Sequence, residues 1–230
     1  MTKPTQREIR YHLIDILGQN NWHQRLEEIY NYPLEKVFGA IQYTQSSLDA
    51  AIKWHGVSAL GLFLQYNSSI KQSQLREMMR RIMWNLNEES GGIGWGMAEL
   101  MAEACASVSF LAEEYSLLFL SYLIENSEGP DNYLEFNELR SGAWWGAQRL
   151  AESETTIFEQ YKGLLINASQ KETLFENRIY AALLIKNLGW EPAEKIHPLE
   201  RDDDHYIIYH KNEIFQGASF SLIKALGLDS

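Results

Sequence analysis

The sequence predicts an all-α fold, a superhelix of stacked helical hairpins closed at its C-terminal end by a small β-hairpin and a helix. Three observations carry this expectation. Four segments share one pattern, an aromatic residue followed by small residues and then Leu: Trp54-His55-Gly56-Val57-Ser58-Ala59-Leu60-Gly61, Gly94-Trp95-Gly96-Met97-Ala98-Glu99-Leu100, Trp144-Trp145-Gly146-Ala147-Gln148-Arg149-Leu150 and Tyr180-Ala181-Ala182-Leu183-Leu184. They recur after 41, 50 and 35 residues, as expected of two-helix modules that bury their apolar faces against one another. The five prolines stand at positions 4, 33, 130, 192 and 198, which leaves residues 34–129 and 131–191 open to uninterrupted helices. Finally, Thr5-x-x-Glu8, Thr156-x-x-Glu159 and Ser169-x-x-Glu172 have capping-box form, in which hydroxyl and carboxylate each satisfy an orphan amide at a helix start.

Taken in order, the hydrophobic periodicity and these start signals place helices at 5–18, 21–31, 33–43, 47–66, 69–86, 91–106, 110–126, 138–152, 155–168 and 171–188. A mixed or polar helix such as 69–86 precedes a helix rich in small residues such as 91–106, and each such pair makes one module. Gly92-x-x-x-Gly96, Gly142-x-x-x-Gly146 and Ala143-x-x-x-Ala147 put patches without bulk on one helical face. Glycine inside a helix costs about 1 kcal/mol relative to alanine, so close helix packing is expected to offset that loss. Past Trp190 the texture changes: Pro192, Pro198 and Asp202-Asp203-Asp204 interrupt the helical rhythm. His205–His210, the turn residues Lys211-Asn212-Glu213 and Ile214-Phe215 then predict a hairpin, and residues 218–226 a last helix. The expected division is a helical repeat domain at 1–190 and a capping tail at 191–230, because a terminal repeat needs an altered element over its exposed apolar face.

Composition narrows the function classes. At 230 residues the chain is long enough for a continuous core without metal or disulfide support. Its net charge of -11 is uneven: residues 1–81 carry ten Lys/Arg against seven Asp/Glu, residues 82–230 ten against twenty-four. An acidic surface repels phosphate, so nucleic acid and anionic membranes are not expected partners. Cys105 is the only cysteine, which excludes an internal disulfide and suits a reducing, cytoplasmic compartment. Flanked by Met101, Ala102 and Val108, it reads as a buried, inert thiol. Residues 1–10 lack the apolar run of a secretory signal, and the apolar stretch 108–124 is interrupted by Glu113 and Glu114.

The small-residue helices resemble HEAT-like repeats of the kind found in phycobilisome-lyase-type and related bacterial α-solenoid proteins, an armadillo-like architecture. More closely, Arg80-Arg81-Ile82-Met83-Trp84-Asn85-Leu86-Asn87-Glu88-Glu89-Ser90-Gly91-Gly92-Ile93-Gly94-Trp95-Gly96 is similar to the signature of a small HEAT-like family of anaerobic bacteria. Leu139-Arg140-Ser141-Gly142-Ala143-Trp144-Trp145-Gly146 and Arg149-Leu150-Ala151-Glu152 fit its next repeat. The resemblance covers residues 45–190. It implies a HEAT-like α-α superhelix whose concave wall, lined by the second helix of each hairpin, grips partners; a lyase-like minority of such proteins handles tetrapyrroles. One fold hosts many functions, so no activity follows from the similarity.

The residues that carry chemistry concentrate at Asn87–Gly96, which combines two carboxylates, an amide, four glycines and flanking tryptophans. Glycine-rich backbone opening a helix can seat an anion, but Glu88 and Glu89 stand where they repel one, and no GxxxxGK[ST] or GxGxxG pattern occurs. The plainer reading is that Glu88, Glu89 and Ser90 cap the following helix. Five of the seven tryptophans, Trp54, Trp84, Trp95, Trp144 and Trp145, fall in or beside the repeat helices. Adjacent Trp144 and Trp145 differ by about 100° around a helix, so one is expected inward and the other toward a groove. Such an aromatic groove, with His55, Glu99 and Arg149 at its edge, suits a peptide or a flat organic ligand; the competing reading is that the rings fill space between helices.

Arg76, Arg80 and Arg81 make a basic helix face suited to an acidic partner, or to salt bridges with Glu77, Glu88 and Glu89. The six histidines are scattered, Glu194-x-x-His197 occurs once where a di-iron bundle needs the motif twice, and His205 and His210 face opposite sides of one strand. Asp202–Asp204 reads as a solvated turn. Ser107, Ser109 and Ser121 stand in no nucleophile motif. The expectation is therefore a non-catalytic scaffold without cofactor or metal. It binds a protein or peptide through Trp54, His55, Trp84, Asn87, Glu88, Glu89, Trp95, Glu99, Trp145 and Arg149. The alternative is a lyase-like protein that stacks a tetrapyrrole or similar cofactor between indoles.

Overall fold

The computed structural model describes residues 4–67, 69–88, 94–126, 132–153, 155–191 and 205–229. The fold is all-α apart from one hairpin, and the chain forms two compact units, Met1–Leu111 and Ala112–Ser230. Helices α1 (Gln6–Leu17), α2 (Trp22–Arg25), α3 (Leu34–Thr44), α4 (Ala50–Tyr66), α5 (Gln72–Leu86) and α6 (Met97–Ser107) belong to the first unit, with a 3₁₀ turn at Leu26–Ile29. Helix α7 (Ser109–Ser121) contains the boundary. The second unit holds α8 (Asn137–Ala151), α9 (Thr156–Gln170), α10 (Phe175–Asn187), β1 (Tyr206–His210), β2 (Glu213–Gly217) and α11 (Ser219–Ala225).

In the first unit the local signals work as expected at α1. Glu8 N–H donates to Thr5 Oγ1 at 3.3 Å while Thr5 N–H donates to Glu8 Oε2 at 2.7 Å, the reciprocal box that satisfies two orphan amides. The helix then buries Ile9, Leu13, Ile16 and Leu17, one face at helical spacing. Asp49 Oδ1 caps α4 by accepting from Ala51 N–H at 2.9 Å. Helix α5 buries Leu75, Met78, Met79, Ile82 and Leu86 in the same periodic manner. Packing runs between sequence neighbours, α3 on α4 and α5 on α6, and between next-but-one neighbours, α1 on α3, α3 on α5 and α4 on α6.

In the second unit α8 packs on α10, α10 on α9 and on β1, and α11 on β2, so the hairpin closes onto α10 and carries α11 with it. The hairpin pairs Tyr206 with Gly217 through His210 with Glu213. Its two-residue turn, Lys211-Asn212, takes φ of 50° and 64°, the left-handed geometry that matches strand twist.

Several local expectations give way to tertiary partners. The helix expected over 91–106 begins at Met97, with Gly96 at its N-cap, so Glu88 does not cap it; Glu89, Ser90 and Gly91–Ile93 lie outside the described residues. Thr156 is already helical behind Thr155, and Glu159 instead accepts from Trp190 Nε1–H at 3.0 Å. Ser169 sits in the last turn of α9, bonded to the Ile166 carbonyl at 2.7 Å, and α10 starts only at Phe175. The helix expected at 21–31 divides into α2 and the 3₁₀ turn, and that expected at 110–126 ends at Ser121. Asp202–Asp204, Glu194 and His197 lie outside the described residues. Among the described residues no helix is long and apolar enough to cross a membrane.

Candidate functional site

The small residues of α4 admit polar side chains rather than another backbone. A Cβ on Gly61 would stand 2.0 Å from Glu103 Oε1 and 2.7 Å from Ser107 Oγ, so glycine is what lets the α6 carboxylate lie against α4. Gly96 holds φ at +73°, and a Cβ there would stand 2.5 Å from the side chain of Gln45. Around these positions runs a buried polar seam. Lys53 Nζ meets Glu99 Oε1 at 3.1 Å and lies 4.8 Å from the centre of the Trp54 ring. Gln45 Nε2 donates to Thr44 Oγ1 at 3.1 Å and to the Ile41 carbonyl at 3.3 Å, while Ser107 Oγ donates to Glu103 at 3.3 Å. Glu99 and Glu103 are both buried, and in place of water Lys53 pairs with the first and the Ser107 hydroxyl bonds to the second.

This arrangement distributes the residues expected to line one groove. Trp54 is buried beside the seam, and Glu99 is held by Lys53. His55 donates Nδ1–H to the Leu17 carbonyl at 2.7 Å and stacks on Trp22, ring centres 4.8 Å apart. On α5 and the turn before α6, Trp84 is 64% exposed and Trp95 39%; Asn87 is exposed and Glu88 half-buried. Glu89 lies outside the described residues. In the second unit Trp145 is 3% exposed against Tyr209, and Trp144 is fully buried, so the expected division of these two rings between core and groove does not occur. The reason is that α8 is covered both by α10 and by side chains of β1, which leaves neither face open. Arg149 is half-buried, with Nη1 3.2 Å from Glu152 Oε2.

Residues outside the expected groove complete the picture. Glu172 accepts from Arg140 Nε at 2.5 Å and Nη2 at 3.0 Å, from Trp144 Nε1 at 2.8 Å and from Asn177 Nδ2 at 2.8 Å. Arg140 also donates to the Leu134 and Glu135 carbonyls and to Asn137 Oδ1. Such a network ties α8 to the segment that opens α10. His210 Nδ1 lies 3.2 Å from Gln148 Oε1, whose amide nitrogen donates to Glu152 at 2.8 Å. Burial, and after it Lys211, hold the His210 pKa below the ordinary histidine value. Cys105 is buried as expected, its thiol pushed up to about 12 by desolvation.

The basic face on α5 is divided as well. Arg80 Nη2 pairs with Glu77 at 2.6 Å, Arg76 lies 5.3 Å from the Phe110 ring centre, and Arg81 lies 5.3 Å from that of Phe38. Arg81 borders a cavity of about 320 Å³ between α3 and α5, lined by Leu34, Glu35, Phe38, Ser73, Gln74, Glu77 and Met78. Among the described residues no three His, Cys, Asp or Glu side chains are grouped to hold a metal ion. No family model, curated protein or solved structure matches the chain.

Proposed function

We propose that the protein is a non-catalytic, HEAT-like α-solenoid that binds a protein or peptide partner through the α5–α6 module of its first unit. The observation that carries this reading is the exposure of two indoles, Trp84 and Trp95, on a module whose Met79, Ile82, Leu86, Leu100 and Met101 are buried. Exposed indoles are costly in water and supply the large, rigid area from which interface hot spots are made. Asn87 and Glu88 beside them suit a polar rim. The solenoid reading is supported by the next-but-one packing of α3 on α5 and α4 on α6 in one unit and of α8 on α10 in the other. In this reading Trp54, Glu99 and Trp145 hold helices together, and a lone buried thiol suits a cytoplasmic setting.

Photo-crosslinking from position 84 identifies the partner, and titration of that purified polypeptide tests the reading. Trp84→Ala and Trp95→Ala are each expected to weaken binding by more than about tenfold with unchanged helicity. Equal affinity for both variants and the parent overturns the proposal. A pigment with visible absorbance that co-purifies in place of a polypeptide favours the tetrapyrrole-binding alternative.

A further inference from the structure

Two guanidiniums converge on the last turn of α3. Arg10 of α1 lies over the Tyr43 ring, 4.1 Å from its centre, and Arg81 of α5 brings Nη2 to 3.5 Å from Gln42 Oε1. Gln42 and Tyr43 are consecutive residues, and α1 and α5 both pack on α3, so the two side chains reach one turn of α3 from neighbouring helices. That turn is the C-terminal end of the helix, whose free carbonyls favour cations. Among the described residues neither guanidinium is in an ion pair, whereas Arg25, Arg80, Arg140 and Arg149 each have a carboxylate partner. The chain holds 31 Asp and Glu against 20 Lys and Arg, so carboxylates are not scarce; they are kept away from this turn. The exposed indoles adjoin it. Trp84 follows Arg81 by three residues, on the same face of α5. A Cβ on Gly96 would stand 2.5 Å from Gln45, the C-cap of α3, which places neighbouring Trp95 at that end of the helix as well. Tyr43, Trp84 and Trp95 are all exposed, so aromatic area lies open beside positive charge that the chain itself does not neutralise.

Resting on the reading that Trp84 and Trp95 anchor a partner, we infer that the partner's bound segment is an acidic peptide in which Asp and Glu are interspersed with apolar side chains. Its carboxylates meet Arg10 and Arg81, whose planar guanidiniums suit bidentate pairing, and its apolar side chains cover Trp84 and Tyr43. The complementarity of sign supplies specificity, and the indoles supply desolvated area. Nucleic acid is a poorer match. A phosphate backbone carries a charge at every step and calls for a longer run of cations, whereas Glu77 and Glu88 flank Arg81 along the chain. A peptide can set a neutral or apolar residue opposite each of those carboxylates.

The probe is a dye-labelled, amidated peptide repeating Glu-Asp-Leu-Phe, titrated with the full chain and followed by fluorescence anisotropy. Saturable binding is expected, and added salt should weaken it by screening exposed charges. The same peptide with Gln and Asn in place of its acids should bind about tenfold more weakly or worse. Arg81→Gln should cost about fivefold, the worth of one solvent-accessible ion pair, at unchanged helicity because the side chain is exposed. Arg81→Lys, which keeps the charge but loses the planar fork, should recover part of that loss. Arg10→Gln should weaken binding by a similar factor. Absence of saturation up to about 1 mM, equal binding of the neutral peptide, insensitivity to both arginine substitutions, or tighter binding of a single-stranded oligonucleotide overturns the inference. Loss of peptide binding in Trp84→Ala but in neither arginine variant removes this inference and leaves the indole reading standing. Loss in the arginine variants with full binding in Trp84→Ala overturns the indole reading instead.

Discussion

Replacing Glu172 with Leu removes the acceptor of four buried hydrogen bonds in one step. Arg140 cannot shed its proton and would keep only two carbonyls and the Asn137 oxygen as partners. Trp144 Nε1 would lose the acceptor it has at 2.8 Å, whereas Asn177 Nδ2 keeps the Asn137 carbonyl at 3.1 Å. Removing one member of a buried pair costs about 3–5 kcal/mol, against a total stability of about 5–15 kcal/mol for a domain. With a urea m-value of about 2 kcal/mol/M, the unfolding midpoint of the second unit should fall by roughly 2 M. Arg140→Met should do the same. The double variant should return to within about 2 kcal/mol of the parent, because no charge is then left buried without its partner. Urea unfolding followed by tryptophan emission measures all four corners of this cycle. A loss below about 1 kcal/mol in either single variant, or simple addition of the two losses in the double, refutes the account.

Glycines give two contrasting expectations. Gly61→Ala should destabilise the first unit by about 1–3 kcal/mol despite better helix propensity, because the new methyl overlaps Glu103; Gly163→Ala, exposed on α9 with nothing within 4 Å of its Cβ, should stabilise by about 0.5–1 kcal/mol. Thermal unfolding by circular dichroism distinguishes them. At His210 the depressed pKa means that the fold favours the neutral ring: its contribution is complete above the ordinary histidine value of about 6.5 and is lost as pH falls through the depressed value. Urea midpoints between about pH 8 and pH 5 should therefore fall less steeply in His210→Gln than in the parent.

What the sequence made legible was the part of the fold that depends on local chemistry. Thr5 and Glu8 find each other across one turn, and the two-residue turn at Lys211-Asn212 needs only its own backbone, so α1 and the hairpin follow from short windows. Ser169-x-x-Glu172 carries the same pattern as Thr5-x-x-Glu8, yet Glu172 belongs to Arg140, 32 residues away, and a short window cannot weigh that partner. Trp144 and Trp145 fail for a related reason: their angular separation was readable, but the number of neighbours around α8 was not. Gly96, expected inside a helix, is instead a left-handed N-cap against the Gln45 side chain, and Gly61, outside the expected small-residue patches, makes room for the Glu103 carboxylate; neither group could be read from spacing. The α3–α5 cavity left no repeat signature, because Glu35 and Arg81 are brought to one place only by the packing of α3 on α5.

Cys105 gives the first unit a built-in clock. It is the chain's single thiol, its Sγ–H donates to the Leu111 carbonyl at 3.5 Å, and desolvation keeps it protonated at neutral pH. Alkylation must then wait for the surrounding helices to part, so the rate at which a maleimide dye is incorporated counts those opening events without any engineered reporter. Helices α8 to α10 contain no sulfhydryl, and their motions leave that clock unread.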